Sequence, residues 1–216
     1  MKKVIGFSGK AGSGKTTAAL HAISVFGGTK VALGDCVKEE VSKFLDSCLV
    51  PYEPRHLYGT AADKNEEFTV LLTDWIRTDY RPRRVLAPHM RVGAGFESVS
   101  LSYRNLLQLW GTEYRRAQDP DYWVKRAAEK IGKLEGLVFI DDIRFPSEAE
   151  MVRQMDGWLI RIDRPDRPMI DTPDHESEVA LDFYTAGWDA WIGNNSTIGT
   201  FKHDVDWTLG YLEAHR

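Results

Sequence analysis

The chain has 216 residues, a formal net charge of −4 and 43% hydrophobic residues. This composition supports a folded core, and the negative charge argues against a protein that binds a nucleic acid polymer, because such contact needs a dominant basic surface. No apolar run approaches the ~20 residues that cross a bilayer and no secretory signal opens the sequence, so we expect a soluble protein without a membrane partner.

Short apolar runs alternate with amphipathic segments in the first part of the chain. They predict a strand over 3–8, a helix over 15–26, a strand over 29–33 and a helix over 36–49. The two cysteines, Cys36 and Cys48, form no C-x-x-C pair. We expect both to be small buried residues, in a protein of the reducing cytoplasm.

The segment 51–100 is less regular. Proline-containing stretches over 51–66 and 78–100 flank a predicted helix over 66–77. We predict a helical and irregular insertion on the substrate side, or a lid; a disordered surface loop explains the composition equally well.

Regular alternation resumes after residue 100. The predicted elements are helices over 101–116 and 122–134, a strand over 136–140, a helix over 147–155, strands over 158–162 and 188–192, and a helix over 200–214. This order predicts an α/β fold, with a parallel sheet that carries helices on both faces, in a single domain spanning 1–216.

A G-x-x-x-x-G-K-T motif lies between the first predicted strand and helix. Its glycines let successive backbone N–H groups turn toward phosphate oxygens, and the following helix adds the positive end of its dipole. We predict that Lys15 reaches the β- and γ-phosphates of ATP and that the Thr16 hydroxyl ligates Mg²⁺. The residues predicted to bind ATP are Lys10, Gly12, Ser13, Gly14, Lys15 and Thr16.

A second anchor follows the apolar run GLVFI, where Asp141 and Asp142 come directly after the predicted strand. Phosphoryl-transfer sites of the P-loop class place an Asp at the end of a neighbouring strand, where it holds Mg²⁺ directly or through water. We therefore predict a P-loop NTPase-like fold, with Asp141 or Asp142 as the second magnesium anchor.

Several classes of P-loop protein do not fit. No Asn-Lys-x-Asp segment is present to read guanine, and the charge does not suit a motor on nucleic acid. Single arginines in the second half suit closure on phosphates during transfer; they are Arg104, Arg115, Arg116, Arg144, Arg161, Arg164 and Arg167.

Three segments carry a resemblance to a known family. They are SYRNLLQLWGTE over 102–113, DYWV over 121–124 and DDIRFPSE over 141–148, with HESE over 175–178 and Asn194-Asn195 as weaker support. In this order, and starting from the phosphate loop, the chain resembles the bacteriophage deoxynucleoside monophosphate kinases. Residues 51–100 match poorly.

The resemblance implies ATP and Mg²⁺ as cofactors, a deoxynucleotide as the small-molecule partner and, for a phage-encoded chain, the host cytoplasm as location. Carried over by position, the residues of the substrate side are Lys38, Arg104, Gln108, Thr112, Trp123, Asp142, Arg144 and Glu148. Arg104 and Gln108 are four residues apart, on one face of the predicted helix, and Thr112 follows one turn later. Trp123 suits stacking on a base, and a core aromatic is the alternative.

The expected reaction is in-line transfer of the ATP γ-phosphoryl group to the 5′-phosphate of a deoxynucleoside monophosphate, which gives the diphosphate. The acceptor phosphate has a second pKa of ~6, so it already carries the nucleophilic oxygen at neutral pH and needs no strong base. Lys15 and Arg144 are the predicted stabilisers of developing charge, Asp142 orients a magnesium-bound water or the substrate, and Arg115 or Arg116 closes as a lid.

Two alternatives remain open on the sequence. The chain fits a P-loop kinase of another small phosphorylated metabolite, such as a coenzyme A precursor, or a non-kinase nucleotide-binding module. Trp188, Trp191 and Trp207 fit the apolar interface of a homodimer as well as they fit a core.

Overall fold

Two units, each with its own hydrophobic core, make up the chain in the computed structural model. The structure describes residues 3–71, 90–93, 96–165, 179–184 and 187–215. Unit 1 comprises residues 1–33 and 124–216, and unit 2 comprises residues 34–123. None of the helices in the described ranges is long and apolar enough to span a membrane.

Unit 1 is built on a five-stranded sheet. Its strands are β1 (Lys3–Ser8), β2 (Thr29–Val31), β6 (Leu137–Ile143), β7 (Trp158–Asp163) and β8 (Ala190–Gly193). They lie in the order β2-β6-β1-β7-β8, and each neighbouring pair is parallel. The predicted parallel sheet is therefore confirmed, with β1 at its centre.

Helices cover both faces of this sheet, as predicted. They are α1 (Lys15–Phe26), α6 (Tyr122–Gly132), α7 (Pro146–Gln154) and α8 (Ile198–Ala214). Because side chains alternate along a strand, Val4 packs toward α6 and α7, whereas Ile5 and Phe7 pack toward α1 and α8. Both faces of the central strands are buried, which explains their continuous apolar runs.

An irregularity interrupts the pairing of β1 with β6. Gly6 pairs with Ile140 and Ser8 pairs with Ile143, so β6 advances three residues where β1 advances two. Asp141 and Asp142 lie in this bulge, inside β6 rather than after it as the sequence predicted. A bulge redirects side chains, and the two carboxylates here contact Lys30 of β2 and the N–H of Leu33, which follows β2 in the chain.

Unit 2 combines helices with a small antiparallel sheet. Its elements are α2 (Leu33–Ser47), α3 (Pro54–Tyr58), α4 (Ala61–Lys64), β3 (Glu67–Leu71), β4 (Met90–Gly93), β5 (Phe96–Ser102), α5 (Tyr103–Gln108) and a π-helical segment (Leu109–Arg116). The strands lie in the order β3-β5-β4. The core contains Leu45, Leu57, Leu106, Trp110 and Trp123 among other residues, and Cys36 and Cys48 are buried, as predicted.

The sequence analysis was wrong about part of unit 2. Residues 67–71 form a strand instead of the predicted helix, because EFTVL pairs residue by residue with Ser98–Ser102 of β5. Strands β4 and β5 lie where 78–100 was expected to be irregular. The predicted helix over 101–116 begins at Tyr103 and changes to π-helix at Leu109. Residues 72–77 of the first prediction lie outside the described ranges.

Candidate functional site

The phosphate loop turns on three glycines. Gly9, Gly12 and Gly14 have φ angles of 149°, 75° and 108°, in the region that side-chain-bearing residues rarely adopt. A Cβ at Gly9 would lie 2.3 Å from the Ile162 carbonyl oxygen, and one at Gly14 would lie 2.6 Å from Nδ2 of Asn194. The loop therefore requires glycine at all three positions for its conformation, and at Gly9 and Gly14 also for close packing.

Lys15 lies at the centre of the loop. Its Nζ donates hydrogen bonds to the carbonyl oxygens of Gly9 (2.7 Å) and Lys10 (2.8 Å), and the side chain is buried. The ammonium is thus held within the ring of backbone that the motif forms. A buried charge in this position has to be offset by polar partners, and an anion such as a phosphate group would serve as one.

A cavity of about 390 Å³ opens beside the loop. It is lined by Gly12, Gly14, Lys15, Thr16, Thr17, Arg164, Asn194, Ser196 and Ile198. The structure therefore brings together four of the six residues predicted to bind ATP. Ser13 is buried within the loop, and Lys10 lines an adjacent cavity of about 330 Å³ with Arg164.

Asn194 and Arg164 support the loop. The sequence analysis counted Arg164 among the arginines that suit closure on phosphates, but it assigned neither residue to the phosphate loop. Asn194 Nδ2 donates to the Ser13 carbonyl oxygen (2.8 Å), and Arg164 donates to the Gly12 carbonyl oxygen (3.3 Å). The only sequence signals were the Asn194-Asn195 pair in the family resemblance and the position of Arg164 just after a strand. Because β7 and β8 end next to the loop, residues that follow them fall within its reach.

Lys10 has an acidic partner in unit 1. Its Nζ lies 2.5 Å from Oδ2 of Asp182, and Arg161 approaches the other oxygen of the same carboxylate at 3.4 Å. Arg161 is buried, and it also contacts Ser8 Oγ (3.3 Å) and Asp163 (3.5 Å). A network of alternating charges thus connects the sheet to the phosphate loop, and no sequence motif indicated Asp182.

The two aspartates of β6 have different partners. Asp141 is buried and forms an ion pair with Lys30 Nζ at 3.2 Å, whereas Asp142 Oδ1 accepts the Leu33 N–H at 2.9 Å. The described residues contain no group of three or more His, Cys, Asp and Glu side chains that would hold a metal alone. The Thr16 hydroxyl and the two carboxylates are nevertheless hard oxygen donors, which fit a magnesium ion that keeps waters and phosphate oxygens as its other ligands.

Arg144 and Glu148 meet at the start of α7. Glu148 is buried, and its Oε2 accepts the backbone N–H groups of Arg144 (2.7 Å) and Phe145 (3.0 Å). The carboxylate therefore caps the helix and fixes the backbone of Arg144 at the end of β6. This contact gives Glu148 a structural role in addition to the predicted one on the substrate side.

Lys38 and Arg104 lie in unit 2, and both side chains are partly exposed. Lys38 Nζ lies 2.7 Å from Asp35 Oδ1 and 4.9 Å from the centre of the Tyr58 ring. Arg104 Nε donates to Asn65 Oδ1 at 2.8 Å. Both cations are thus accessible and held in place from the protein side.

The other predicted substrate residues of unit 2 differ in exposure. Gln108 ends α5, and Thr112 lies in the π-helical segment; both are exposed. The four-residue spacing of an α-helix does not continue to Thr112, because the π-helix has i→i+5 hydrogen bonds. Trp123 is 2% exposed and donates its indole N–H to the Gly111 carbonyl (2.8 Å), so the core alternative describes this residue.

Arg115 is enclosed by aromatic rings and a carboxylate. Its guanidinium lies 4.7 Å from the Tyr114 ring centre and 4.8 Å from that of Tyr122, and its Nε donates to Glu40 at 2.8 Å. Glu40 also accepts from Trp110 Nε1 (3.1 Å) and from the Tyr122 hydroxyl. Of the two arginines predicted as lid residues, Arg115 is thus already part of the packing of unit 2.

Comparisons with known proteins agree with the resemblance. A family model described as deoxynucleotide monophosphate kinase matches residues 90–205. A putative deoxynucleotide monophosphate kinase of Acanthamoeba polyphaga mimivirus is 28% identical over 214 residues, covering 94% of this chain and 93% of that protein. The deoxynucleoside-5'-monophosphate kinase of Escherichia phage T5 is 24% identical over 216 residues, covering 84% of this chain and 86% of that protein. Among solved structures, dephospho-CoA kinase from Campylobacter jejuni aligns with a TM-score of 0.46 and 14% identity over 98% of both chains.

Proposed function

Because this chain belongs to the deoxynucleotide monophosphate kinase family, we propose a distribution of roles among its residues for that reaction. The enzyme transfers the ATP γ-phosphoryl group to the 5′-phosphate of a deoxynucleoside monophosphate. Family membership sets aside the two alternatives that the sequence left open. The observation that supports the roles most directly is the buried Lys15 ammonium at the centre of the glycine-turned loop.

The phosphate loop is the proposed site of the ATP triphosphate. Lys10, Gly12, Ser13, Gly14, Lys15 and Thr16 hold it through backbone N–H groups and side chains. Arg164 and Asn194 belong to the same site, because both hydrogen-bond the loop and line its cavity. Lys15 exchanges its carbonyl partners for phosphate oxygens and stabilises charge on the transferred group.

Magnesium is the proposed second cofactor, held by Thr16 and, directly or through water, by Asp141 or Asp142. When bound, the ion would supply positive charge that offsets the negative charge of the phosphate groups. Asp142 is also proposed to orient substrate, and Arg144 to contact the transferred group, from its position next to the Glu148 cap. The acceptor phosphate is already a dianion at neutral pH, so the protein's work is placement and charge neutralisation.

The acceptor nucleotide is assigned to the remaining predicted residues. They are Lys38, Arg104, Gln108, Thr112 and Glu148. Glu148 would have this role in addition to capping the backbone at Arg144 and Phe145. Trp191 and Trp207 are 61% and 64% exposed, which keeps the homodimer interface as a proposal. Absence of a nucleic acid polymer among the partners and a cytoplasmic location stay predictions.

A coupled assay with ATP and each common deoxynucleoside monophosphate tests the assignment of the ATP site. We expect diphosphate with one or more of the four acceptors, and loss of turnover in Lys15→Ala. Turnover that survives intact in Lys15→Ala would overturn the role of the loop. Chelation of divalent cations by EDTA, followed by magnesium addition, tests the cofactor: activity has to disappear and return.

Arg104→Ala tests the acceptor site. Loss of a charge-assisted contact to phosphate is expected to raise KM for the acceptor by roughly tenfold to a hundredfold, with KM for ATP nearly unchanged. Arg126→Ala is the control, because Arg126 is an exposed residue of α6 that pairs only loosely with Glu129, at 3.8 Å. An equal rise of both KM values in Arg104→Ala would indicate a structural role instead.

A further inference from the structure

We propose that Lys64, at the end of α4, joins Lys38 and Arg104 in a three-cation site that binds the 5′-phosphate of the acceptor nucleotide. This inference rests on the proposed function, and it adds a residue that neither the family resemblance nor the sequence motifs indicated. The site lies wholly within unit 2, on α2, α4 and α5.

The first argument is the placement of the three side chains. Arg104 Nε donates to Oδ1 of Asn65, which follows Lys64 directly in the chain. Lys38 lies over the ring of Tyr58, the last residue of α3, and α3 packs against both α4 and α5. The end of α4 therefore lies between the elements that carry the other two cations.

The second argument is the local excess of positive charge. Among the described residues, Lys38 has one carboxylate partner, Asp35. Arg104 is held by the neutral amide of Asn65 and, within the described residues, neither Arg104 nor Lys64 has a carboxylate within 4.0 Å. Three cations with one direct counter-ion, in a chain of net charge −4, form an unbalanced group that suits an anion.

Nearby acidic residues do not correct this excess. Arg55 is paired with Glu53, Asp63 and Glu66, so it takes the carboxylates of α3, α4 and the segment that follows. Asp63 is further bound to the backbone N–H and the hydroxyl of Thr60 at the start of α4. The direct partners of these carboxylates are thus Arg55 and Thr60, and Lys64 forms an ion pair with none of them.

The electrostatics of Lys64 agree with this picture. Its pKa lies below the ordinary value of 10.5, first because the amine is partly buried and then because the charges of Lys38 and Arg104 repel its protonated form. The opposing carboxylates, Asp35 and Asp63, do not compensate. A bound phosphate dianion would relieve this repulsion, since it neutralises two charges at once.

The chemistry of the group favours a nucleotide phosphate over a carboxylate. A planar guanidinium supplies a fork of donors, and two flexible ammonium groups supply point charges, which together match three oxygens and a charge of −2. The polyphosphate of ATP has its own cations in unit 1, namely Lys10, Lys15 and Arg164. The cations of unit 2 are therefore assigned to the acceptor.

Kinetics of Lys64→Met and Lys64→Arg test the inference. We expect Lys64→Met to raise KM for the acceptor by roughly tenfold to a hundredfold, with KM for ATP unchanged, and Lys64→Arg to recover most of the loss. Lys133→Met is the matched control, because Lys133 is an exposed lysine of unit 1 that pairs with Glu129 at 2.7 Å. An unchanged acceptor KM in Lys64→Met, in an otherwise active enzyme, overturns the inference and leaves the proposed function intact.

Differential labelling of the wild-type protein gives a result that does not depend on a variant folding. Brief acylation of lysines is followed by mass spectrometry, with the free enzyme, ATP, a deoxynucleoside monophosphate, or the deoxynucleoside without phosphate. We expect the monophosphate alone to protect Lys64, while Lys133 is labelled equally throughout. Labelling of Lys64 that the monophosphate does not reduce overturns the inference, and a wild-type protein that phosphorylates no acceptor overturns it together with the proposed function.

Discussion

At the scale of single residues, Gly14 meets two separate requirements. Its φ of 108° excludes most side chains, and Asn194 and Phe201 occupy the space into which a Cβ would project. The same amide nitrogen of Asn194 donates a hydrogen bond to the Ser13 carbonyl oxygen. The conformation of the phosphate loop therefore depends on the loop that follows β8, far away in sequence.

Gly14→Ala separates strain from crowding. A left-handed conformation costs a side-chain-bearing residue about 1–2 kcal/mol, and the added methyl group must also displace Asn194. We expect Gly14→Ala to lower the free energy of unfolding by more than this strain energy, as measured by urea titration. We also expect it to weaken ADP binding, as measured by calorimetry.

Gly27→Ala supplies the control for that experiment. Gly27 follows α1 with a φ of 70°, and a Cβ there would meet no atom within 4 Å. Its ψ of −172° lies in another region that is essentially restricted to glycine, so Gly27→Ala should lose stability through backbone strain without crowding and keep its affinity for ADP. Wild-type affinity in Gly14→Ala would show that the loop tolerates displacement of Asn194.

The sequence motif indicated which residues form the phosphate loop, but it did not indicate the residues that support the loop. A G-x-x-x-x-G-K-T motif carries its chemistry in contiguous residues, so Lys15 and Thr16 were identifiable from spacing. Asp182 and Arg164 approach the loop through the tertiary fold, and their local sequence has no pattern that reflects this. Trp123 shows the same limit of sequence analysis, because the sequence alone does not distinguish an aromatic residue of the core from one of a binding site.

At the scale of elements, the π-helical segment contacts one half-buried carboxylate of unit 2, that of Glu40. Glu40 of α2 accepts hydrogen bonds from Trp110, Arg115 and Tyr122, and its side chain is 12% exposed. At the end of this segment the Ala117 N–H donates to the Thr112 carbonyl oxygen, five residues back, which is the spacing of a π-helix. Widening of the helix brings Trp110 and Arg115 toward the same acceptor.

Glu40→Gln is expected to destabilise unit 2. It removes the negative charge that balances Arg115 and leaves fewer acceptor sites for three donors, so the free energy of unfolding should fall by about 1–3 kcal/mol. The measurement is urea unfolding followed by tryptophan fluorescence. Glu113→Gln, an exposed change in the π-helical segment itself, is the control, and equal stability of the two variants would contradict the importance of Glu40.

Elements with local signals were predicted more accurately than elements that depend on distant partners. Helix α1 and strand β1 match their predicted bounds because their apolar periodicity and flanking glycines are local. Strand β3 was predicted as a helix. Its conformation is set by pairing with β5, and a segment of five residues is too short for its own sequence pattern to distinguish a strand from a helix. The π-helix carries the apolar spacing of an α-helix, so periodicity did not distinguish the two.

At the scale of the whole molecule, charge is distributed unevenly. A net charge of −4 coexists with cations at the phosphate loop and with the group of Lys38, Lys64 and Arg104 in unit 2. Acidic residues around Arg55 form the opposite case, in which three carboxylates share one guanidinium. These two arrangements predict different responses to pH.

Acid is expected to weaken unit 2 through Glu66 and Asp63. Arg55 is the main cause that lowers the pKa of Glu66 below 4.5, and hydrogen bonds from Thr60 are the main cause that lowers the pKa of Asp63 below 3.8. Groups with a depressed pKa in the folded state stabilise it above their unfolded pKa, and this contribution is lost as the pH falls through the folded pKa. Stability should therefore fall as the pH drops from about 5 toward the folded-state pKa values.

Unfolding titrations across this pH range check the sign. Glu66→Gln should reduce the slope of stability against pH, because it removes one titrating group and leaves Arg55 with fewer charged partners. Glu67→Gln, a change at the next residue along the chain, retains the Arg55 ion pairs and should keep the wild-type slope. A wild-type slope in Glu66→Gln would contradict the assignment.

The central position of β1 has a consequence for synthesis. Lys3 of β1 pairs with Leu137 and Ile5 with Trp158, so the neighbours of the central strand are translated long after it. All of residues 34–123 leave the ribosome in between. Unit 2 is therefore complete while β1 and the phosphate loop still lack their partners, so the residues of unit 2 proposed to bind the acceptor are synthesised before the strands that flank the proposed ATP site.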